Sequence, residues 1–168
     1  HLNLASRILR SCREELRDCI WELRSRALEA DRMDDAIRQT LTPHIDTAAL
    51  RVRFNVPRRL ISDNTAHALL RIVRELASNA VRHGHASQIR IAGALDEGRL
   101  LFSVADNGCG FDPESRPGIE EGHFGLQGVR ERVEAQDGTM EIESHPGGGA
   151  KITIAMQLRT PEEESRNG

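Results

Sequence analysis

Tyrosine is absent from the 168-residue chain, and aromatic residues make up only 3% of it. Single-strand nucleic-acid binders stack bases on such rings, so that function is excluded. The net charge is −3, so no basic nucleic-acid surface is expected either. No apolar run approaches the ~20 residues of a membrane span, and no direct membrane contact is expected. No signal peptide is visible, and His1 is not an initiator, so the chain reads as a piece of a longer parent. The three cysteines are Cys12, Cys19 and Cys109. An odd count without Cys-x-x-Cys excludes a disulfide framework and a cysteine zinc site. Reduced thiols point to a cytoplasmic location, which includes the cytoplasmic part of a membrane-anchored parent. His83-x-His85 has no further ligand cluster beside it and makes no metal site by itself. There is no Gly-x-x-x-x-Gly-Lys-Ser/Thr, so any phosphate must be held by something other than a P-loop. None of the seven histidines is followed by an acid.

What is present is strongly periodic. Leu2, Ala5, Leu9, Cys12, Leu16, Cys19 and Leu23 alternate spacings of three and four within a Pro- and Gly-free stretch, Leu2 to Leu28. Ile8 and Ile20 widen the stripe, as in a helix of a four-helix bundle. Packing on its own domain is the alternative. A connector with a short helix, Asp34 to Leu41, follows and is closed by Pro43. Alternating strands are expected at Leu50–Val56, Ser87–Leu95, Arg99–Ala105, Thr139–Ser144 and Ala150–Leu158. Asp96-Glu97-Gly98 signals a hairpin. A helix is expected over Gly125–Gln136, stopped by Gly138. Residues 112–121 lack periodicity and read as a mobile loop, and the acidic end, 160–168, as a tail or linker. Hairpins and helices in this order make an α+β two-layer sandwich.

One helix and one loop carry the chemistry. The helix runs from Asn64 to His83, with Gly84 as the expected stop. Leu69, Leu70, Ile72, Val73, Leu76, Ala77, Ala80 and Val81 give it a broad apolar face. Glu75 and Asn79 are four apart and share a face one turn above the other. Their oxygens suit a hard cation such as Mg²⁺, which is usually held together with substrate phosphates. Arg82 and His83 can add positive charge nearby. The loop is Asp106-Asn107-Gly108-Cys109-Gly110-Phe111. A carboxylate at a strand end followed by Gly108 and Gly110 suits a flat ligand lying close to backbone. It is not a calcium loop, because the third and fifth positions are glycines without ligand oxygens. Gly122-His123-Phe124-Gly125 leads straight into a helix, so it offers backbone N–H groups and a positive dipole end.

These stretches resemble the GHKL ATPases, the superfamily of gyrase, heat-shock chaperone, histidine kinase and MutL. Glu-x-x-x-Asn-Ala-x-x-His, Asp-x-Gly-x-Gly, Gly122-His123-Phe124-Gly125-Leu126 and Gly147-Gly148-Gly149 occur in the family order. The likeness is greatest to the histidine kinases paired with LuxR/NarL-type response regulators, and it covers about Arg13 to Leu158. It implies the Bergerat ATP-binding fold over 50–159. Residues 1–30 would be the second helix of a dimerisation and phosphoacceptor bundle, 31–49 a connector, and 160–168 a tail.

The resemblance implies ATP and Mg²⁺ as ligands. Asp106 would accept from the adenine amino group, with Gly108 and Gly110 at the base. Asn79 would be the magnesium ligand, and Glu75 the general base or polarising acid. Arg82, His83, Gly122, Gly125, Leu126 and Gly149 would line the phosphates and base. Where the family often has Thr after the last glycine box, this chain has Ala150. The acceptor His, which the family follows with an acid, is absent. The implied function is γ-phosphoryl transfer to a His on the protein's own dimerisation domain, in a homodimer, and then to the Asp of a response-regulator receiver domain. The alternative is an anti-sigma-type serine kinase of the same superfamily. The heptad-bearing first segment and its Trp21-Glu22-Leu23-Arg24 ending favour the histidine kinase.

Overall fold

The computed structural model describes residues 26–45, 47–114 and 123–158. The heptad stretch, the tail 160–168, Gly122 and most of the loop 112–121 lie outside the described residues, apart from the end of the first stretch, where Arg26–Glu29 form a 3-10 turn. Among the described residues no helix is long and apolar enough to cross a membrane.

Among the described residues, three helices pack on a five-stranded sheet. The helices are α1 (Met33–Leu41), α2 (Asp63–Arg82) and α3 (His123–Glu134). The strands are β1 (Ala49–Phe54), β2 (Gln88–Asp96), β3 (Arg99–Asp106), β4 (Thr139–Ser144) and β5 (Ala150–Gln157), in the order β1-β2-β3-β5-β4. The pairing is antiparallel except for β1 with β2, which is parallel. A parallel neighbour needs a crossover, and α2 provides it. The expected α+β two-layer sandwich is therefore the fold.

Each element follows from local chemistry. Ser62 caps α2, its hydroxyl accepting from the Thr65 N–H at 3.2 Å. Arg58 folds back to the Ile61 carbonyl and pairs with Asp63, fixing the chain's entry into the helix. The β2–β3 hairpin turns on Glu97 (φ 47°) and Gly98 (φ 77°), a twist that suits paired strands. Strand alternation sends Ile89, Ile91, Leu100, Phe102, Val104, Ile152 and Ile154 into one core beneath the helices. Phe54 and Phe102 meet there at 6.4 Å, and the Phe54 ring occupies the space that a side chain at Gly93 would need.

The chain leaves α2 at Gly84, as expected, directly after the cap residue His83. The left-handed residue of the turn is His85, at φ 52°. Histidine tolerates that region better than most residues, and the Ala86 N–H then closes onto the Ala80 carbonyl at 3.0 Å. Gly84 is small for another reason: a Cβ there would lie 2.7 Å from the Ala80 oxygen. Likewise Asp137 (φ 51°), not Gly138, is the left-handed residue beyond α3. The stretch read as a connector is core: Met33, Ala36, Ile37, Leu41 and Ile45 are all buried with the sheet residues. Burial at i, i+3, i+4 and i+8 is what seats α1 on the sheet and on α2.

Candidate nucleotide site

Leu100, Phe102 and Val104 of β3 point into the core, so the same alternation turns Asp106 toward the helix layer. Asp106 stands mid-sheet, in register with Ile89 on one side and Ala150 on the other. Its Oδ1 accepts from the Gly108 N–H at 2.7 Å, which fixes the carboxylate and leaves Oδ2 for a ligand. Gly108 cannot carry a side chain: a Cβ would sit 2.5 Å from the Gly84 oxygen and 2.9 Å from Asp106 Oδ1. Gly110 is left-handed (φ 62°), and a Cβ there would lie 2.7 Å from the Gly149 oxygen and closer still to the His145 oxygen. Gly149 is buried and left-handed (φ 72°), and a Cβ there would collide with the Asp106 carbonyl oxygen. The two glycine loops therefore interlock, and Gly147 N–H donates to the Cys109 carbonyl at 2.6 Å.

The second half of the site lies on α2. Glu75 and Asn79 are half-buried on one face, and both meet Gly125. A Cβ on Gly125 would be 2.6 Å from Asn79 Nδ2 and nearer still to Glu75 Oε1. α3 starts at His123, two residues earlier than its sequence pattern suggests, so Gly125 lies in its first turn. The first turn of a helix offers N–H groups and a positive dipole end, and Gly125 of this turn lies against Glu75 and Asn79. Asn79 Nδ2 is buried with no hydrogen-bond partner. An orphaned amide costs about 1–3 kcal/mol, which suits a position that meets an oxygen-rich ligand. Leu126 packs half-buried against the core and anchors the same turn.

Arg82 and His83 are exposed at the end of α2. The His83 carbonyl accepts from the Cys109 thiol at 3.5 Å, and the Gly84 carbonyl from the Cys109 N–H at 2.8 Å. The end of α2 therefore holds the Asp106 loop directly. Among the described residues no group of three or more His, Cys, Asp or Glu could hold a metal without a ligand's help.

Two side chains of the site were not singled out from the sequence. Asn107 Oδ1 accepts from the Ser87 and Gln88 N–H groups at 3.0 and 2.8 Å, and Nδ2 donates to Ser87 Oγ at 3.0 Å. Ser144 Oγ accepts from the Phe111 N–H and donates to the Gly149 carbonyl, both at 2.9 Å. An Asn after a strand-end Asp is a loop-forming signal, and only that much was readable in advance.

Residues 64–160 match the family of histidine kinase-, DNA gyrase B-, and HSP90-like ATPases. The chain belongs to this ATPase family. This ATPase domain is thus an ATP-binding domain, as the four motifs implied. It is similar to the nitrate/nitrite sensor protein NarQ of Escherichia coli K12, 29% identical over 161 residues, covering 94% of this chain and 28% of NarQ. It is also similar to the signal transduction histidine-protein kinase/phosphatase DegS of Brevibacillus brevis, 30% identical over 164 residues, 93% of this chain and 40% of DegS. The ATPase domain thus spans well under half of either relative. Among solved structures, the blue-light activated histidine kinase of Erythrobacter litoralis EL346 superposes with a TM-score of 0.64 at 18% identity, over 79% of this chain and 43% of that one. Mycobacterial sensor histidine kinase MprB superposes with 0.59 at 18%, over 76% and 93%. At such identities these structures speak for the fold.

Proposed function

We propose that the chain is the ATP-binding catalytic part of a two-component sensor histidine kinase. Its γ-phosphoryl acceptor is a His on the protein's own dimerisation domain, and the receiver-domain Asp of a response regulator takes the group next. One relative named above, DegS, is a histidine-protein kinase/phosphatase and another, NarQ, a sensor protein, which favours His over Ser as the acceptor. The observation that carries the reading is the meeting of Glu75, Asn79 and the first turn of α3 at Gly125, joined through the end of α2 to the Asp106 loop.

The residues fit Mg·ATP. Asp106 Oδ2 is available to accept from the adenine amino group, and the bare α-carbons of Gly108 and Gly110 let the base lie against backbone. Asn79 would hold Mg²⁺ through its amide oxygen once phosphates complete the shell, and its buried Nδ2, which has no partner, would donate to a phosphate oxygen. When bound, Mg²⁺ neutralises charge on the phosphate oxygens. Gly125 and its neighbours would direct N–H groups at the phosphates, with Gly122, Leu126 and Gly149 lining the site and Arg82 and His83 adding charge. Glu75 would take a proton from, or polarise, the attacking imidazole. The P–O bond to ADP breaks as the P–N bond forms, and catalysis is mostly positioning and electrostatics.

In the whole protein, 1–30 would belong to the dimerisation bundle of a homodimer and 50–159 to the catalytic domain. The domain would work on the cytoplasmic side. The test is incubation with γ-labelled ATP and the parent's separate dimerisation domain. The expected result is acid-labile label on that domain, slowly, because the tether is lost. The chain alone should remain unlabelled, since none of its histidines precedes an acid. Acid-stable label on a Ser substrate would instead support the anti-sigma-type kinase, and acid-labile label on the chain itself would refute the acceptor assignment.

A further inference from the structure

Ser144 ends β4, in register with Ala150 of β5, and Ala150 is in register with Asp106 of β3. These three residues form one row across the floor of the base half of the site. Ala150 carries no polar group, so the polar member beyond Asp106 is the Ser144 hydroxyl. That hydroxyl does not face solvent as a spectator. It accepts from the N–H of Phe111, the residue after Gly110, and donates to the carbonyl of Gly149, the residue before Ala150. A single hydroxyl bonds both glycine loops at once. The loops meet where neither has spare room: Gly110 lies against the Gly149 and His145 carbonyls, and Gly149 against the Asp106 carbonyl. Both glycines are left-handed, a conformation with little preference of its own to keep it in place.

We propose that Ser144 is a positioning residue for adenine recognition: its hydroxyl clasps Phe111 to Gly149 and so fixes the backbone on which Asp106 and Gly110 meet the base. The inference rests on the ATP-site reading above. It assigns Ser144 no contact with the nucleotide. Its effect runs through the glycine loops to the base end, and the phosphate end at Asn79 and Gly125 hangs from different elements.

The test compares the unaltered chain with Ser144→Ala and Ser144→Thr by calorimetric titration with ATP and with adenosine, well below each protein's melting transition. Losing one bridging hydroxyl should weaken both ligands about tenfold and equally. Thr, which keeps the hydroxyl, should stay within about twofold. A purely structural role would lower the melting temperature and leave the affinities of the folded protein unchanged. Affinities for Ser144→Ala within twofold of the unaltered chain would overturn the proposal, as would a loss confined to ATP with adenosine spared. Should Ser144→Ala not fold, the Phe111 amide decides. Its hydrogen exchange must be slow in the unaltered chain and in Ser144→Thr, and fast exchange there overturns the clasp. Failure of the unaltered chain to bind ATP or adenosine at all would overturn the site reading itself, a result distinct from any of these.

Discussion

Replacing Gly125 by Ala separates the fold from the chemistry more cleanly than removing any site residue. The new methyl would enter the space shared by Glu75 Oε1 and Asn79 Nδ2. Both are the free ends of side chains, so they swing away and the backbone need not move. Pushing each off its rotamer costs roughly 0.5–1.5 kcal/mol. Against this, Ala in a helix is better than Gly by roughly 0.5–1 kcal/mol. The net change in stability therefore lies between about zero and a loss of about 2.5 kcal/mol. For a domain of this size that lowers Tm by no more than about 10 °C. The chemistry suffers far more. Moving Glu75, the proposed general base, would forfeit much of the roughly 10²–10⁴-fold that such a group supplies, and Asn79 would leave with it. Phosphoryl transfer should fall at least about 100-fold while the folded domain persists. The assay is a thermal melt beside transfer to the separately supplied dimerisation domain. Transfer within a few-fold of the unaltered chain would show that the Glu75–Asn79–Gly125 meeting point is not where the chemistry occurs.

Asp106→Ala should weaken ATP about ten- to hundredfold, the worth of a hydrogen bond to a charged group; unchanged affinity by calorimetry would remove Asp106 from the site. Asn79→Ala should damage binding in Mg²⁺ more than binding in a chelator, and equal losses would make Asn79 purely structural. Glu75→Gln keeps the shape and removes the proton acceptor, so ATP affinity should hold while transfer falls; a normal transfer rate would end the base assignment.

Much of this was legible because it is local. The apolar face of α2, the shared face of Glu75 and Asn79 and the Asp106-to-Gly110 loop are short-range patterns, and each forms as a local unit: the two side chains lie together against Gly125, and the Asp106 carboxylate accepts from the Gly108 N–H. The misses are non-local or a residue or two wide. The parallel partnership of β1 with β2 depends on a crossover, which no single window contains. α1 looks like a connector because it is short and followed by Pro43, and its burial appears only once α2 and β1 are in place. Ser144 meets Phe111 across 33 residues and Asn107 meets Ser87 across 20, so neither role leaves a trace in spacing. Beside the helix-stopping Gly84 and Gly138, His85 and Asp137 are left-handed, which the sequence pattern did not indicate; a polar side chain can stand in for glycine in that region.

The burial of α1 has a practical meaning for anyone who trims this domain. β1 lies at the rim of the sheet, and Arg38 of α1 donates to its Val52 carbonyl at 3.1 Å. A cut at residue 50, where the expected catalytic domain starts, would strip that donor away. It would also remove Met33, Ile37 and Leu41 from the interior, roughly 5–9 kcal/mol of burial at ~1.5–3 kcal/mol each. That is comparable to the whole stability of an ordinary domain. What remained would present a bare strand edge beside newly wet Val52 and Phe54, the kind of surface that recruits other chains. Expression boundaries for this domain therefore belong ahead of Arg32, whatever the extent of its sequence motifs.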